Sequence, residues 1–154
     1  MKPDSSKPWI GYQLDDSVPY LMNRVTGLMN RQLELQLRSF KVSFQHWRIL
    51  AVLAQQNGSS ITDLSIYAVV PHSSLSRLLT RMENEGFVRR EVDAQDARTV
   101  RVYTTAAGVA MYRRILPLAI DVREQSLAGL TKAQKSSLLD LMKHMLAQMQ
   151  TQTP

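Results

Sequence analysis

The 154-residue sequence contains no cysteine. Disulfide bonds, thiolate metal sites and cysteine-based redox sensing are therefore excluded. No apolar run approaches the roughly 18 residues that a membrane span needs, and the polar segment 1–8 lacks the apolar core of a signal peptide. We expect a cytoplasmic protein without a membrane partner.

Signatures of catalysis are also missing. None of the three histidines, His46, His72 and His144, has a partner at the spacing of a metal-ligand motif such as HExxH. The sequence has no glycine-rich phosphate loop and no Gly-x-Ser-x-Gly nucleophile elbow. The eight methionines stand at helical spacing among Leu and Val, which favours packing over metal binding. We predict that the protein is not an enzyme and has no metal or other cofactor.

Positive charge is in excess, with a formal net charge of +6, which suits a polyanionic partner. Between residues 71 and 103, however, six arginines accompany five acidic residues. The excess belongs to the whole chain and not to one basic stripe. Affinity for DNA would therefore depend on how individual arginines are placed.

The segment 61–105 predicts a helix, a turn at 69–71, a second helix and a two-stranded hairpin, in that order. Thr62 is expected to cap the first helix, and Gly86 to end the second in the left-handed conformation. An apolar stripe at i, i+3, i+4 and i+7 marks the buried side of the second helix. It consists of Leu75, Leu78, Leu79 and Met82.

The other side of this second helix carries hydroxyl and guanidinium groups, which fit a major groove about 12 Å wide. Hydroxyl groups can donate or accept at base edges, and arginine can bind guanine O6 and N7. The alternative is an ordinary solvated helix face. The candidate DNA-binding residues of this helix are Ser73, Ser74, Ser76, Arg77, Thr80 and Arg81.

Two stretches rich in strand-forming residues, 87–92 and 99–103, flank the polar turn segment 93–98. Arg98 at this tip can reach a minor groove, where negative potential attracts arginine. Asp96 is spaced to orient Arg98 or a neighbouring arginine. The alternative is a solvated hairpin with incidental charges.

These ordered motifs resemble the MarR family of winged-helix transcription regulators over roughly residues 18–149. The resemblance lies in the runs 42–50, 74–78, 82–90, 93–98 and 102–108. Pro71 departs from the pattern, because the family more often has a polar cap there. The resemblance implies a mainly α (α+β) winged helix-turn-helix protein that binds double-stranded DNA as a homodimer and acts as a repressor.

The flanking segments predict long helices. The first helix has one apolar stripe of Val18, Leu21, Val25, Leu28 and Leu35, and a second of Met22, Met29 and Leu33. Ser43 and Thr105 are expected to begin further helices, Pro117 to bend one of them, and 131–134 to form a capping box. The terminal helices carry more apolar surface than a domain of this size can bury, which favours a two-fold dimer. We expect dimerisation helices at 18–40 and 106–150, a DNA-binding lobe at 41–105 and an N-terminal arm at 1–17.

The family resemblance also implies a cleft for a small aromatic carboxylate or phenol, walled by the first, second and fifth helices. Such a ligand needs a flat apolar slot, a cation and a polar contact. Tyr20, Trp47 and Tyr112 are the candidates for the slot. Arg24 or Arg123 is the candidate cation, and His46 the polar contact. The alternative is that Trp47 and His46 are core residues and the arginines are surface charges.

A second function class remains open, namely a winged-helix protein-interaction module without sequence-specific DNA binding. Groove-facing Ser73, Arg77 and Arg98 favour DNA, because an interaction module does not need these groups there. Binding to duplex DNA that does not weaken with salt would favour the interaction module.

Overall fold

The computed structural model describes residues 13–152. The predicted N-terminal arm therefore falls mostly outside the described residues. Short 3-10 turns cover Leu14–Asp16 and Arg38–Phe40. The helices and strands of the described part are α1 (Val18–Leu37), α2 (Phe44–Gln55), β1 (Ser59–Ser60), α3 (Ile61–Tyr67), α4 (His72–Asn84), β2 (Val88–Val92), β3 (Val100–Thr104), α5 (Ala106–Ser126) and α6 (Lys132–Gln152).

The three strands form one antiparallel sheet in the order β1-β3-β2. Val88 pairs with Thr104 and Val92 with Val100, so β2 and β3 form the predicted wing. Ser59 of β1 pairs with Val102 on the other edge of β3. The sequence did not predict β1, because two serines give neither alternation nor strand-forming side chains.

Local side-chain chemistry fixes most helix ends as expected. Ser43 caps α2, and Thr105 caps α5 by accepting from the N–H of Gly108 at 3.1 Å. Gly86 adopts φ +78° immediately after Glu85, the C-cap of α4. Gly108 is required at the start of α5, because a Cβ there would lie 2.1 Å from the carbonyl oxygen of Phe87.

The predicted cap of α3 was wrong by two residues. Ser60 Oγ accepts from the N–H of Asp63 at 3.0 Å, and the Asp63 carboxylate accepts from the hydroxyl of Ser60 at 2.7 Å. This reciprocal capping box starts the helix at Ile61. Thr62 lies within the first turn, because Ser60 reaches the free N–H groups first.

The core of the DNA-binding lobe joins α2, α3 and α4 to the sheet. All four residues of the stripe predicted for the second helix are buried in it, with Leu75, Leu79 and Met82 at 0% exposure. A second cluster joins α1 to α5 and contains Leu33, Leu37, Val42, Ile115 and Val122. Phe87 and Met111 pack against both clusters and so connect the lobe to the α1–α5 pair.

The two predicted stripes of α1 have different surroundings. Leu33 of the second stripe is 4% exposed and belongs to the α1–α5 cluster. The first stripe, Val18 to Leu35, remains 44–62% exposed. Helix α6 contributes no residue to either core cluster. Seven of its apolar side chains are 38–63% exposed: Leu138, Leu139, Leu141, Met142, Met145, Leu146 and Met149.

Helices α1 and α5 pack antiparallel. The amide of Gln32 donates to that of Gln125 at 2.5 Å, and the guanidinium of Arg114 lies 4.7 Å from the ring centre of Phe40. Residues later in α1 and in the turn that follows it thus meet residues earlier in α5. Within residues 13–152, no helix has the length and apolar character needed to cross a membrane.

Candidate nucleic-acid interface and effector slot

The outer face of α4 presents free hydroxyl and guanidinium groups. Ser73, Ser74, Ser76 and Arg77 are all exposed, because the apolar stripe of the same helix faces the core. Their side chains make no hydrogen bond or ion pair with any residue between 13 and 152. This part of the helix can therefore contact another molecule without breaking internal contacts.

Thr80 and Arg81 differ from this group. Thr80 Oγ1 donates to the carbonyl of Ser76 at 3.0 Å and accepts from Arg90 Nη2 at 3.3 Å. Arg81 Nε lies 2.8 Å from Glu85 Oε1. Both side chains are exposed but already engaged. The structure thus separates the six candidate residues of α4 into four free and two engaged.

Most of the positive charge between residues 71 and 103 is neutralised by ion pairs with neighbouring carboxylates. Four of the six arginines form ion pairs within the segment: Arg81 with Glu85, Arg89 with Glu91, Arg90 with Glu83 and Arg101 with Asp93. Hydrogen bonds from Arg90 lower the pKa of Glu83, and those from Arg101 lower the pKa of Asp93. In the described chain, Arg77 and Arg98 are the two arginines of this segment without an ion pair.

The wing tip is held by two aspartates. Asp93 accepts from the N–H groups of Gln95 at 2.8 Å and Asp96 at 3.2 Å. Asp96 accepts from the backbone N–H of Arg98 at 3.0 Å and from the hydroxyl of Thr99 at 2.8 Å. Asp96 therefore orients the backbone of Arg98 and not its guanidinium, which stays free. The neighbouring Arg101 pairs with Asp93 and not with Asp96.

The turn before α4 has an unusual backbone. Val69 adopts φ +51°, which is rare for a β-branched residue. Pro71 is the N-cap of α4 and provides no side-chain hydrogen bond to the helix. Arg48 Nη1 donates to the carbonyl of Val69 at 3.3 Å, which ties α2 to this turn.

The six candidate effector-binding residues do not form one site within a single chain. Trp47 and Tyr112 stack with ring centres 5.4 Å apart and planes 7° apart. Arg24 donates to the hydroxyl of Tyr20 at 3.3 Å on α1. Arg123 forms an ion pair with Glu124 at 2.8 Å.

The Trp47–Tyr112 stack and the Tyr20–Arg24 pair lie at opposite ends of the α1–α5 contact. At about 1.5 Å per residue, Tyr20 is about 18 Å along α1 from Gln32, on the side away from Phe40. Tyr112 is about 20 Å along α5 from Gln125, in the opposite direction. A single-chain cleft that uses Tyr20, Arg24, Trp47 and Tyr112 together is therefore incompatible with this packing. Sequence spacing could not show this, because the pairing of α1 with α5 is a tertiary feature.

His46, the expected polar contact for the ligand, is buried in the lobe and does not line the slot. Its side chain is 1% exposed, with Nδ1 accepting from the N–H of Ser43 at 3.2 Å and Nε2 lying 3.1 Å from Glu85 Oε2. Both ring nitrogens are thus occupied within the lobe. Burial lowers the pKa of His46, although Glu85 opposes this effect. The alternative interpretation as a core residue describes His46 better.

Trp47 also lines a slot of about 350 Å³, together with Arg48, Val52 and Tyr67 among others. Tyr112 does not line this slot but a separate pocket of about 320 Å³. Sequence reasoning missed Arg48 and Tyr67. Arg48 follows Trp47 directly and lies one turn after Phe44, whose ring centre is 5.1 Å from its guanidinium. That i, i+4 aromatic–cation spacing was the available signal. The slot provides the flat apolar walls and the cation that an aromatic acid needs.

A larger groove of about 560 Å³ lies between α1 and the start of α2. Arg31, Glu34 and Arg38 line it with Phe44, and the carboxylate of Glu34 already accepts from the N–H of Phe44 at 2.6 Å. This groove contains neither Trp47 nor Tyr112. Among the described residues, no group of three or more His, Asp or Glu side chains is arranged to hold a metal ion.

The comparisons with known proteins agree with this geometry. Residues 40–99 match a model of the MarR family. A MarR-family transcriptional regulator from Silicibacter pomeroyi has a similar structure, with a TM-score of 0.81 and 38% identity over 88% of this chain and 92% of that one.

Two similar proteins are repressors by name. The HTH-type transcriptional repressor IacR of Pseudomonas putida is 27% identical over 82% of this chain and 76% of its own length. The homoprotocatechuate degradative operon repressor of Escherichia coli is 31% identical over 67% of this chain and 70% of its own length.

Proposed function

The chain belongs to the MarR family of winged-helix transcriptional regulators, and from that premise we propose that it is a repressor released from DNA by a small aromatic carboxylate or phenol. We propose further that it binds a pseudo-palindromic operator as a homodimer. The observation that carries the DNA-binding function is the selective freedom of Arg77 and Arg98. Their neighbours Arg81, Arg89, Arg90 and Arg101 are held by carboxylates.

The free groups suit two different contacts with DNA. Arg77 and the hydroxyls of Ser73, Ser74 and Ser76 occupy one face of α4, where they can contact base edges in the major groove. Arg98 at the wing tip can enter the minor groove. The N-terminus of α4 lacks a side-chain cap, so the N–H groups of His72 and Ser73 can receive a phosphate, whereas those of Ser74 and Leu75 donate to the carbonyl of Pro71.

Dimerisation is supported by the uncovered apolar stripes of α1 and α6. Leu28 is 62% exposed and Leu141 is 63% exposed, although both belong to regular amphipathic stripes. Large contiguous apolar surfaces of this kind mark interfaces. A two-fold dimer formed through these helices would present two copies of α4 to the same face of the duplex.

The effector site that we propose is the slot lined by Trp47, Arg48 and Tyr67. A volume of about 350 Å³ suits a ligand with one aromatic ring, and Arg48 can neutralise its carboxylate. This replaces the combination of all six residues expected from sequence: Tyr20, Arg24, Arg123 and His46 do not contribute from the same chain. The name of one relative, a repressor of a homoprotocatechuate degradative operon, points to the same class of compound.

Selection of binding sites from a random duplex library tests the DNA-binding proposal. We expect an enriched pseudo-palindrome whose half-sites lie about 10 bp apart, so that both recognition helices meet one face of the DNA. Binding should weaken steeply with rising salt. Enrichment of a single asymmetric half-site would contradict the dimer, and salt-independent binding would favour the interaction module.

Addition of benzoate- and cinnamate-type acids to the complex with the selected duplex tests the effector. We expect release of the DNA and a higher thermal stability of the free protein, because a ligand stabilises the state that it binds. A broad panel that changes neither quantity would exclude aromatic acids as effectors.

A further inference from the structure

Arg48 is the residue that touches both the slot and the turn before the recognition helix. It lines the slot with Trp47 and Tyr67, and its Nη1 donates to the carbonyl of Val69 at 3.3 Å. We propose that Arg48 binds the carboxylate of the effector and, by withdrawing from Val69, transmits ligand binding to the start of α4. This inference rests on the proposed effector function.

The guanidinium of Arg48 has unused capacity for an anion. An arginine has five N–H donors, and among the described residues Arg48 uses one of them for a hydrogen bond, to Val69. The group is half-buried over the ring of Phe44 and has no ion pair within residues 13–152. Burial without a carboxylate partner lowers the pKa of Arg48. A bidentate pair with a ligand carboxylate is stronger than the bond to a neutral carbonyl, and it fixes the plane of the guanidinium. We expect this reorientation, and not a shortage of donors, to draw Nη1 away from Val69.

The ligand class follows from the other walls of the slot. The indole of Trp47 is held in place by its stack on Tyr112. Val52 and the exposed ring of Tyr67 add apolar surface, and the amides of Gln55 and Gln56 offer polar contacts for a ring hydroxyl. A planar ring with one carboxylate, with or without a hydroxyl, matches these walls.

The turn that Arg48 holds is strained. Val69 adopts φ +51° and its side chain is 65% exposed, so burial does not compensate for the conformation. A β-branched residue in this region is strained and persists only where neighbours restrain it. The restraints include the Arg48 bond and the bonds from Val69 N–H to Ile66 and from Val70 N–H to Ser65, at 3.2 and 3.1 Å. The Ser65 hydroxyl also donates to the carbonyl of Val70 at 2.8 Å.

Release of this turn would change the position of the recognition helix. Val69 is separated from the first residue of α4, His72, by Val70 and Pro71. Val70 is 2% exposed and anchored in the core, whereas the Val69 carbonyl projects toward Arg48. Loss of the Arg48 bond removes one of the restraints on the strained residue. The first turn of α4, which includes the free serines, is the part of the recognition helix nearest to this change.

The binding test compares benzoate with its neutral analogue benzamide. The variants are Arg48→Gln and the control Arg113→Gln, which removes an exposed arginine next to Tyr112. Calorimetry should show that Arg48→Gln weakens benzoate binding by roughly 10- to 100-fold, the usual effect of losing a charge-assisted hydrogen bond. Benzamide binding should change by less than about 3-fold. Equal loss of both ligands would show a merely structural role for Arg48 and overturn the proposal.

The coupling test uses Val69→Gly, which relieves the strain because glycine tolerates positive φ. This variant should bind benzoate with an affinity close to that of the wild type, but benzoate should no longer release it from the selected duplex. Full release would overturn the role of the turn. Binding and release in the wild type with no effect of Arg48→Gln would overturn the inference and leave the proposed function standing. Absence of any acid response in the wild type would overturn both.

Discussion

The DNA-binding lobe and the terminal helices differ in how they bury their apolar side chains. In α4, Leu79 and Met82 are 0% exposed and belong to one continuous core. In α1 and α6, Leu28 and Leu141 have the same helical spacing but are 62% and 63% exposed. The same amphipathic pattern is thus buried in α4 and exposed in α1 and α6. The difference indicates that the lobe is complete as a single chain, whereas the terminal helices require another surface.

Charge shows a corresponding division within the lobe. Arg81, Arg89, Arg90 and Arg101 are satisfied by carboxylates of the same segment. Arg77 and Arg98 are left free within residues 13–152, one on α4 and one at the wing tip. The unsatisfied apolar groups thus form the surface that we propose for a second copy, and the unsatisfied cations form the surface that we propose for DNA. Substitutions on the exposed stripes should therefore affect dimerisation, those in the lobe core should affect folding, and those of the free arginines should affect DNA binding.

The largest effect is expected from a charge on the uncovered stripe of α6. Leu141→Glu should raise the dissociation constant of the dimer by about 100-fold or more, because an unpaired carboxylate would be buried at the interface. The operator affinity should fall with it. Ala147→Glu is the matched control, since about 100° per residue places Ala147 opposite the stripe. Sedimentation equilibrium measures both variants, and equal weakening by both would contradict an interface at this stripe.

Truncation of the lobe core should have the next largest effect. Leu79→Ala should lower the free energy of unfolding by about 2–5 kcal/mol without changing the dissociation constant of the folded dimer. Leu28→Ala on the uncovered stripe of α1 should do the reverse, weakening the dimer with little loss in the lobe. Urea unfolding and sedimentation of both variants test this contrast. A large loss of dimer affinity in Leu79→Ala would show that the two regions are not separable.

Local chemistry explains why much of this fold was predictable from sequence. The burial of Leu75 to Met82, the left-handed Gly86 and the cap at Ser43 depend on residues within one or two turns. The wing followed from strand formers on both sides of a polar turn. The cap at Ser60 and strand β1 were missed, because several polar residues stand together there and only tertiary contacts decide among them.

The candidate effector site was less predictable for the same reason. Trp47 and Tyr112 stack because α2 packs against α5, and Tyr20 is carried away from them by the antiparallel pairing of α1 with α5. Neither contact has a local sequence signal. The burial of His46 against Glu85 likewise joins residues 39 positions apart. Residue type alone therefore grouped side chains that the fold places apart from one another.

Substitution of the two free arginines, Arg77 and Arg98, is expected to have an intermediate effect on DNA binding. Arg77→Ala should cost about 1–3 kcal/mol at the selected duplex and relax the sequence preference at one position. Arg98→Ala should weaken all duplexes similarly and reduce the salt slope by about 1. The paired Arg89 provides the control, and Arg89→Ala should change affinity less than either. Equal loss of sequence discrimination from Arg77→Ala and Arg98→Ala would contradict the assignment of base readout to Arg77 and of general affinity to Arg98.

The smallest effect is expected from the pH dependence of the buried His46. Burial lowers its pKa in the folded state, with Glu85 and Glu34 opposing this and Arg81 adding to it. The unfolded chain, with a pKa of about 6.5, therefore binds more protons below that pH. Stability from His46 is present above about pH 6.5 and is lost as the pH falls toward the folded-state pKa, by at most about 1.4 kcal/mol per pH unit.

The substitution His46→Gln tests this pH dependence, because a glutamine amide can still donate to Glu85 but does not titrate. Urea unfolding at about pH 7 and pH 5.5, on either side of the pKa of free histidine, should show a smaller loss of stability in His46→Gln than in the wild type. His144→Gln, at an exposed position of α6, should retain the wild-type loss. Hydrogen bonds from Arg90, Arg101 and Arg123 lower the pKa values of Glu83, Asp93 and Glu124, so these carboxylates stabilise the fold at both pH values. That contribution is lost only as the pH falls below about 4, the usual carboxylate range. An unchanged loss in His46→Gln would therefore show that the Ser43–His46–Glu85 contacts do not make the lobe sensitive to pH.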